Sequence, residues 1–169
     1  GFLEVDTPVR VTAPAPESHI DAIPADGAFL RPSPELEMKR LLAAGYPRLF
    51  QLGPCFRAGE RGRLHREEFA MLEWYEAEAS HRALIPFTRD LLIHAAEALG
   101  NRGAATAERL GLRRPWLEMT VREAFAKFAG ISPEQALRDN RYEETLVTEV
   151  EPRLPRDVPV ILIDYPAEL

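Results

Sequence analysis

Alternation of apolar and polar residues predicts where strands lie along this chain. Residues 2–6 alternate apolar with acidic positions and predict a half-buried strand that ends at Thr7-Pro8. Similar patterns predict strands at residues 28–31, 48–57, 68–76 and 158–164. Residues 11–27 are rich in proline and lack periodicity, so they predict a loop. Residues 58–67 lack apolar anchors and predict a mobile hairpin loop between two paired strands.

Helix signals follow each strand pair. Ser33 is a predicted N-cap with Pro34 at the first helical position, and Gly45 is predicted to lie just past the end of that helix. Helical patterns also cover residues 84–99, closed by Gly100, then 120–129, a segment starting at Ser132, and 141–150. Strands paired by a hairpin, then helices, then a returning strand predict an α+β fold with an antiparallel sheet flanked by helices.

Composition places the chain among ordinary globular proteins. It has 169 residues, of which 46% are apolar and 28% charged, which fits a single domain spanning residues 1–169. No run approaches the roughly 18 apolar residues of a membrane span. Cys55 is the only cysteine. It therefore forms no internal disulfide, suits a reducing cytoplasm, and is interpreted as a small buried residue rather than a nucleophile.

Charge and histidine content narrow the ligand classes. The net charge is −6, and the one basic stretch runs from Arg57 to Arg66. Local positive charge in an acidic protein favours a small anionic ligand over a polynucleotide. His19, His81 and His94 have no metal-ligand neighbours in sequence, so no metal site is predicted from the residues themselves.

The strand at residues 68–76 carries unusual polar groups. Side chains alternate across a strand, so one face is shared by Phe69, Met71, Glu73 and Tyr75. The other face holds Ala70, Leu72 and Trp74 and is predicted to pack against helices. Two interpretations of Glu73 remain open: an ion pair with an arginine of this chain or a wet face, and a site where Glu73 and Tyr75 bind a cationic ligand.

The preceding loop offers the opposite charge. A hairpin would carry Arg57, Arg61, Arg63, His65 and Arg66 over the same sheet face. Several arginines together can neutralise a polyphosphate, although a solvated charged loop is an equal alternative. Glu35 is a further candidate, and its alternative role is to stabilise the start of its helix through the helix dipole.

Four ordered segments resemble one known family. The run from Phe56-Arg57 to Trp74-Tyr75 resembles motif 2 of the class II aminoacyl-tRNA synthetases of the lysine-specific type. Residues 34–41 are similar to the segment just before motif 2, and residues 1–8 to the strand half of motif 1, whose proline lies at a dimer interface. Residues 163–167 are similar to the strand that leads to motif 3. Motif 3 itself is not found, so the resemblance implies a catalytic core that is truncated at both ends and incomplete for catalysis.

The resemblance implies that this chain binds ATP with Mg²⁺. Arg57 would be the catalytic residue that holds the α-phosphate and the amino-acid carboxylate, His65 would reach the γ-phosphate, and Phe69 would stack on adenine. Two positions depart from the family pattern: Gly59 replaces a glutamate and Arg66 replaces an asparagine. Glu60 could take the place of the missing acid after a small shift of the loop.

The resemblance also implies an amino-acid substrate with two amines. Glu35 would receive the α-amino group, while Glu73 and Tyr75 would bind the side-chain amine. The carboxylate of that substrate would attack the α-phosphorus and give an aminoacyl-adenylate.

Three features are similar to the branch that ligates lysine to elongation factor P: Ser33 before Pro34, the ending Leu72-Glu73-Trp74-Tyr75, and a short stretch between motif 2 and Ile163. This branch implies a cytoplasmic homodimer, lysine or β-lysine as substrate, and elongation factor P rather than tRNA as acceptor. The alternatives are a lysyl-tRNA synthetase core, a non-catalytic binding module built on the same core, and a tRNA-binding protein.

Overall fold

The computed structural model describes residues 1–14, 16 and 20–167. Their contacts divide the chain into two compact units, Gly1–Ser80 and His81–Leu169. Helices and strands are mixed in both units, so the fold is α+β, as predicted. The single catalytic core over residues 1–169 remains a prediction.

Two three-stranded sheets form the first unit. Its elements are β1 (Leu3–Glu4), β2 (Arg10–Val11), β3 (Pro24–Ala25), β4 (Ala28–Leu30), α1 (Glu35–Ala43), β5 (Arg48–Phe56) and β6 (Glu68–Glu76). The larger sheet has the order β1-β5-β6, and the smaller has the order β2-β4-β3. The strands predicted at residues 48–57 and 68–76 are therefore confirmed, because long alternating patterns joined by a short polar segment are strong hairpin signals.

The antiparallel hairpin of β5 and β6 is the scaffold of this unit. Its register places Gln51 opposite Glu73 and Cys55 opposite Phe69. The strand β1 differs from the prediction in two ways. It pairs with β5 in parallel, and both of its residues are exposed rather than half-buried. A strand of two residues at a sheet edge has too few neighbours to bury either of its faces.

The loop predicted over residues 11–27 is wrong at both ends. Val11 belongs to β2, and β3 forms a tight hairpin with β4 in which Ala25 pairs with Ala28. Asp26 and Gly27 connect these strands with φ angles of 47° and 71°. Two successive positive φ values are typical of a type I′ turn, which favours Asp-Gly. That dipeptide was the sequence signal for this hairpin.

Helix α1 begins one residue later than predicted. Pro34 occupies the N-cap position rather than Ser33, and no side chain caps the helix there. The Ser33 hydroxyl still accepts the Glu35 N–H at 3.1 Å. The end of the helix matches the prediction, because Gly45 follows it with a φ of 96° and donates its N–H to Leu42 at 3.0 Å.

The second unit is mainly helical. Its elements are α2 (His81–Ala98), α3 (Gly100–Arg109), β7 (Leu117–Thr120), α4 (Val121–Phe128), α5 (Pro133–Arg138), α6 (Tyr142–Thr145) with a π-helical continuation (Leu146–Val150), a 3₁₀ turn (Glu151–Arg153) and β8 (Val160–Ile163). Its larger buried cluster consists of Met119, Val121, Ala124, Phe125, Ala136, Tyr142 and Val150. A smaller one consists of Ala96, Ala107 and Leu112. In the part of the chain that the structure describes, no helix has the length and apolar character needed to cross a membrane.

Several helix boundaries in this unit were predicted from capping residues. The Thr120 hydroxyl accepts the Glu123 N–H at 3.1 Å, and the Glu123 carboxylate accepts the Thr120 N–H at 2.8 Å, which confirms the capping box. The Ser132 hydroxyl caps α5 by accepting the Gln135 N–H at 3.1 Å. Helix α2 starts earlier than predicted, and Gly100 opens α3 as well as ending α2. Neither α3 nor β7 was predicted, and β7 pairs with β8 in parallel.

Candidate ligand-binding site

One face of the β5–β6 hairpin forms the floor of the candidate site. Directly opposed residues of an antiparallel pair point to the same side. The floor residues are therefore Leu49, Gln51, Gly53 and Cys55 from β5 and Phe69, Met71, Glu73 and Tyr75 from β6. The β6 members are all half-buried, so their side chains are partly open to a ligand.

The opposite face of the hairpin differs from the prediction. Leu52 is 62% exposed and Leu72 is 41% exposed, although this face was predicted to pack against helices. The alternating pattern identified an apolar face correctly. A pattern along one strand cannot specify which element covers that face, and among the described residues these two leucines remain open to solvent.

Two hydroxyl groups hold the Glu73 carboxylate. Ser33 Oγ donates to Glu73 Oε1 at 2.5 Å, and Tyr75 Oη donates to Glu73 Oε2 at 2.9 Å. Within the described ranges Glu73 forms no ion pair with lysine, arginine or histidine. The interpretation that an arginine of this chain neutralises Glu73 is therefore not supported. Both carboxylate oxygens retain lone pairs for a cation, because each accepts only one of these hydrogen bonds.

The phenol of Tyr75 stays protonated in this setting. Burial raises the pKa of Tyr75 far above its ordinary value, and the hydrogen bond to Glu73 and the negative charges of Glu73 and Glu35 raise it further. A phenol that stays neutral remains a donor to Glu73 across the physiological range. The cluster of Ser33, Glu73, Tyr75 and Glu35 is therefore a negatively charged site with fixed donors, suited to an ammonium group.

Glu35 occupies the first residue of α1 beside this cluster. Its carboxylate forms an ion pair with Lys39, one turn along the same helix. The Glu35 side chain is 37% exposed, so this pair is at the surface and weak. Glu35 can thus release Lys39 and bind an ammonium group of a ligand at little cost. It also interacts favourably with the dipole at the start of α1.

Arg57 lies where β5 enters the loop, beside the floor. Its Nε donates to the Pro32 carbonyl at 3.3 Å, and its guanidinium lies 5.3 Å from the centre of the Phe69 ring. Glu60 is its nearest acid, with an N–O separation of 3.7 Å. A pair this long and partly exposed leaves most of the charge of Arg57 available to an anion. The structure therefore brings together Arg57, Glu60 and Phe69.

The loop between β5 and β6 is crossed by hydrogen bonds, although its composition predicted a mobile segment. Gly59 has a φ of 75° and donates its N–H to Glu67 Oε1 at 2.9 Å. Arg61 pairs with Glu67 Oε2 at 2.7 Å, and Gly62 N–H donates to the His65 carbonyl at 3.1 Å. The hydrogen bond from Arg61, followed by that from Gly59, lowers the pKa of Glu67. Sequence reasoning did not select Glu67.

His65 and Arg66 are exposed on this loop rather than packed against the floor. Across the residues that the structure places, neither side chain nor that of Arg63 has an ion-pair partner. Arg66 and Phe69 are among the residues that line a groove of about 790 Å³ beside the loop. The groove brings Arg66 and the ring of Phe69 to one surface, together with the acids Glu67 and Glu68.

A buried arginine that sequence reasoning missed supports the floor. Arg31 is 1% exposed and donates to the Pro54 carbonyl at 3.0 Å and to Thr7 Oγ1 at 3.0 Å. Gln51 Oε1 accepts the Thr7 hydroxyl at 2.9 Å. This network fastens the segment after β1 to β5. Its only sequence signal was an arginine at the end of an apolar strand.

The remaining predicted features are structural. Cys55 is fully buried, and this burial raises the pKa of its thiol, so a reactive thiolate is disfavoured. His19 lies outside the described residues, and His81 and His94 are exposed on α2. In the described ranges, no group of three histidine, cysteine, aspartate or glutamate side chains could hold a metal ion.

Comparison with known proteins relates the sequence of this chain to one family. A family model described as tRNA synthetases class II (D, K and N) matches residues 1–169. A lysine–tRNA ligase of Aromatoleum aromaticum is 33% identical over all of this chain, which covers 39% of that relative. The elongation factor P–(R)-β-lysine ligases of Hamiltonella defensa and Yersinia enterocolitica are 34% and 32% identical over 99% of this chain, which spans 57% of each relative.

Proposed function

The chain belongs to the class II tRNA synthetases of the D, K and N type, and on this premise we propose that it is part of an ATP-dependent ligase for lysine or β-lysine. The enzyme would form an aminoacyl-adenylate and pass the aminoacyl group to a lysine of elongation factor P. One observation carries the proposal: the Glu73 carboxylate is held by Ser33 and Tyr75, and no cation among the described residues pairs with it. A substrate with a terminal ammonium group supplies that cation.

The amino-acid site would contain two carboxylates, one on β6 and one at the start of α1. Glu73 binds the side-chain ammonium, with Ser33 and Tyr75 fixing its orientation. Glu35 binds the α-amino group after releasing Lys39. Two separated carboxylates favour a diamino acid over a neutral amino acid, because a neutral side chain would leave Glu73 partly buried without a counter-charge.

The nucleotide site would form at the loop. Phe69 provides a ring for adenine, Arg57 binds the α-phosphate together with the substrate carboxylate, and His65 and Arg66 approach the remaining phosphates. Gly59 and Glu60 shape the start of the loop. The Arg57 guanidinium lies over the Phe69 ring, so nucleotide binding would move it from the ring toward phosphate, where a bidentate contact is stronger.

The reaction would then need orientation and charge neutralisation only. The substrate carboxylate attacks the α-phosphorus, a new C–O–P linkage forms, and pyrophosphate leaves. The acceptor amine next attacks the acyl carbon, AMP leaves, and the amine loses its proton. Arg57 offsets the negative charge that accumulates between carboxylate and phosphate. Magnesium is expected to accompany the phosphates of ATP.

The acceptor and assembly are further parts of this proposal. Elongation factor P is favoured over tRNA by Ser33, by the ending Leu72-Glu73-Trp74-Tyr75, and by the net charge of −6. The similarity of residues 1–8 to motif 1 favours a homodimer, and the lone cysteine favours the cytoplasm. The second candidate is a lysyl-tRNA synthetase, because the chain is also 33% identical to a lysine–tRNA ligase.

Amino-acid-dependent ATP–pyrophosphate exchange on the full-length protein tests the proposal. α-Lysine and β-lysine are compared first, and labelled adenylate is then offered to elongation factor P and to tRNA. Exchange favouring β-lysine with label on elongation factor P is the expected result. Exchange with α-lysine and transfer to tRNA would identify the second candidate. No exchange with either lysine, in a protein that is folded, would leave a non-catalytic binding module.

A further inference from the structure

The side chain of one residue joins the end of the loop of residues 57–67 to its start. Glu67, at the end of the loop, reaches back to its start and contacts both Gly59 and Arg61. We propose that Glu67 is a positioning residue for nucleotide binding, which holds the loop in the shape that presents its cations to ATP. This inference rests on the proposed ligase function and adds a residue that neither the sequence patterns nor the resemblance selected.

Backbone geometry explains why the contact comes from position 67. Gly59 has a φ of 75°, a conformation in which a residue with a Cβ is strained. Its exposed N–H points at Glu67 Oε1 at 2.9 Å, and the Arg57 N–H donates to the Glu67 carbonyl at 2.9 Å. Glu67 therefore binds the loop start through both its backbone and its side chain.

Glu60 was the expected replacement for the missing acid at position 59, but its carboxylate faces a different group. Its carboxylate faces Arg57 at 3.7 Å, so it contacts a residue proposed to bind phosphate. Glu67 contacts the peptide N–H of Gly59 and the side chain of Arg61, neither of which is proposed to touch ATP. The two acids thus have different tasks: Glu60 is paired with a ligand-binding group, and Glu67 fixes the loop.

The ion pair with Glu67 distinguishes Arg61 from the other arginines of the loop. Arg61 is committed to Glu67 at 2.7 Å. In the described part of the chain, Arg63 and Arg66 have no acidic partner. A polyphosphate would therefore meet Arg63 and Arg66 first. Removing the charge of Arg66 should weaken ATP binding, whereas removing that of Arg61 should change it by less than about twofold, because the Arg61 pair is exposed.

The test uses the full-length protein with Glu67→Ala, Glu67→Gln and the control Glu76→Gln. Glu76 is the acid at the last position of β6 and pairs with Arg48, away from the loop. Two quantities are measured in each variant: hydrogen–deuterium exchange of residues 57–62, and KM for ATP with kcat in pyrophosphate exchange. Direct ATP titration is run in parallel, so that ATP affinity is known whether or not exchange occurs.

The expected result couples the two measurements. Glu67→Ala should speed amide exchange of residues 57–62 and raise KM for ATP by about fivefold, with a smaller change in kcat, because the Gly59 N–H loses its acceptor. Glu67→Gln keeps an oxygen that accepts from Gly59, so it should restore most of both properties. Glu76→Gln should change neither.

Other outcomes decide against the inference. Unchanged ATP affinity in Glu67→Ala despite faster amide exchange would make the contact merely structural. Weaker ATP binding with unchanged amide exchange would make Glu67 an electrostatic contributor rather than a positioning residue. If the wild-type protein binds ATP but performs no exchange with any lysine, the proposed function fails, while the ATP titration still decides the role of Glu67. A wild-type protein that binds no ATP would overturn both.

Discussion

Ser33 Oγ lies 2.5 Å from Glu73 Oε1, although 40 positions of sequence separate the two residues. The same hydroxyl oxygen accepts the Glu35 N–H at 3.1 Å. Ser33 therefore links the helix that carries Glu35 to the strand that carries Glu73. A ligand that binds Glu73 also meets the start of α1, which is why the two carboxylates belong to one site.

Replacing Glu73 by glutamine is the most direct test of amine recognition. The amide keeps the shape and one accepting oxygen, but its NH2 group cannot accept the second of the two hydroxyl hydrogens. It also removes the negative charge that faces the ammonium group. Binding of lysine or β-lysine should weaken by on the order of 2–4 kcal/mol, since a desolvated charge partner is lost. Isothermal titration of each lysine against the full-length variant measures this change.

A neighbouring acid provides the control for that substitution. Glu76 lies at the end of the same strand and pairs with Arg48 at 2.7 Å, away from the Glu73 cluster. Glu76→Gln should leave amino-acid affinity within about twofold, because the Arg48 pair is a surface contact. Equal losses in both variants would point to general destabilisation of β6, and unchanged amine selectivity in Glu73→Gln would sink the assignment.

Tyr75 should make the stability of the folded protein decline at alkaline pH. Its pKa is raised in the folded protein by burial and by Glu73. Above the ordinary tyrosine pKa of about 10, the unfolded chain loses this proton while the folded chain keeps it. The associated stability is therefore complete below about pH 10 and declines as pH rises toward the folded pKa. Tyr75→Phe should make this alkaline decline shallower in thermal unfolding between pH 8 and 11.

A second tyrosine must be separated from this effect. Burial raises the pKa of Tyr142 to about 12, so Tyr142 adds a decline of the same sign in the second unit. Tyr142→Phe is the matched variant, and the two substitutions should flatten the alkaline decline independently. An alkaline decline unchanged by Tyr75→Phe, together with tyrosinate absorbance appearing normally near pH 10, would contradict the buried, hydrogen-bonded phenol.

Long alternating patterns and helix caps could be predicted from the sequence. Contacts between residues far apart in the sequence could not. The nine alternating residues of β6 gave both its bounds and its floor face, because strand geometry alone sets that alternation. The capping box of Thr120 and Glu123 is a contact over three positions and was equally clear. Ser33 was mistaken for an N-cap because its partner Glu73 belongs to another element.

The same contrast between local patterns and distant contacts separates the site residues that were predicted from those that were missed. Glu73, Tyr75, Phe69 and Arg57 were selected because they lie in one strand pair or at its end. Arg31 was missed because its partners, Thr7 and Pro54, are carbonyl and hydroxyl groups with no sequence signature. Glu67 was missed for a related reason, since an acid within a charged loop looks solvated until the loop geometry brings Gly59 to it.

The capping box of α4 predicts a local loss of stability in the second unit. Thr120→Ala removes the hydroxyl that accepts the Glu123 N–H at 3.1 Å, and should lower the free energy of unfolding by about 1 kcal/mol. Urea unfolding monitored by circular dichroism measures it. Thr106→Ala is the control, because the Thr106 hydroxyl only bonds a carbonyl within its own helix. Equal effects of the two substitutions would contradict the cap.

Gly53 predicts a steric limit beneath the candidate site. A Cβ at this position would lie 2.7 Å from Arg31 Nη2, inside normal contact distance. Because Arg31 is buried and donates to Thr7 and to the Pro54 carbonyl, its guanidinium has little room to yield. Gly53→Ala should therefore lower the free energy of unfolding by about 1–3 kcal/mol, as overpacking does in a filled interior.

A double-mutant cycle separates this clash from the general cost of alanine in a strand. Arg31→Met removes the guanidinium and takes away the hydrogen bonds that it donates to the Pro54 and Thr7 carbonyls, which should cost about 2–4 kcal/mol by itself. In the Arg31→Met background the added methyl group of Gly53→Ala no longer meets the guanidinium, and Gln51 Nε2 at 3.3 Å is the tight neighbour that remains, so its extra cost should fall. Urea unfolding of the four proteins gives the coupling energy. Strict additivity of the two substitutions would show that Gly53 and Arg31 do not compete for the same space, and that the floor tolerates a side chain there.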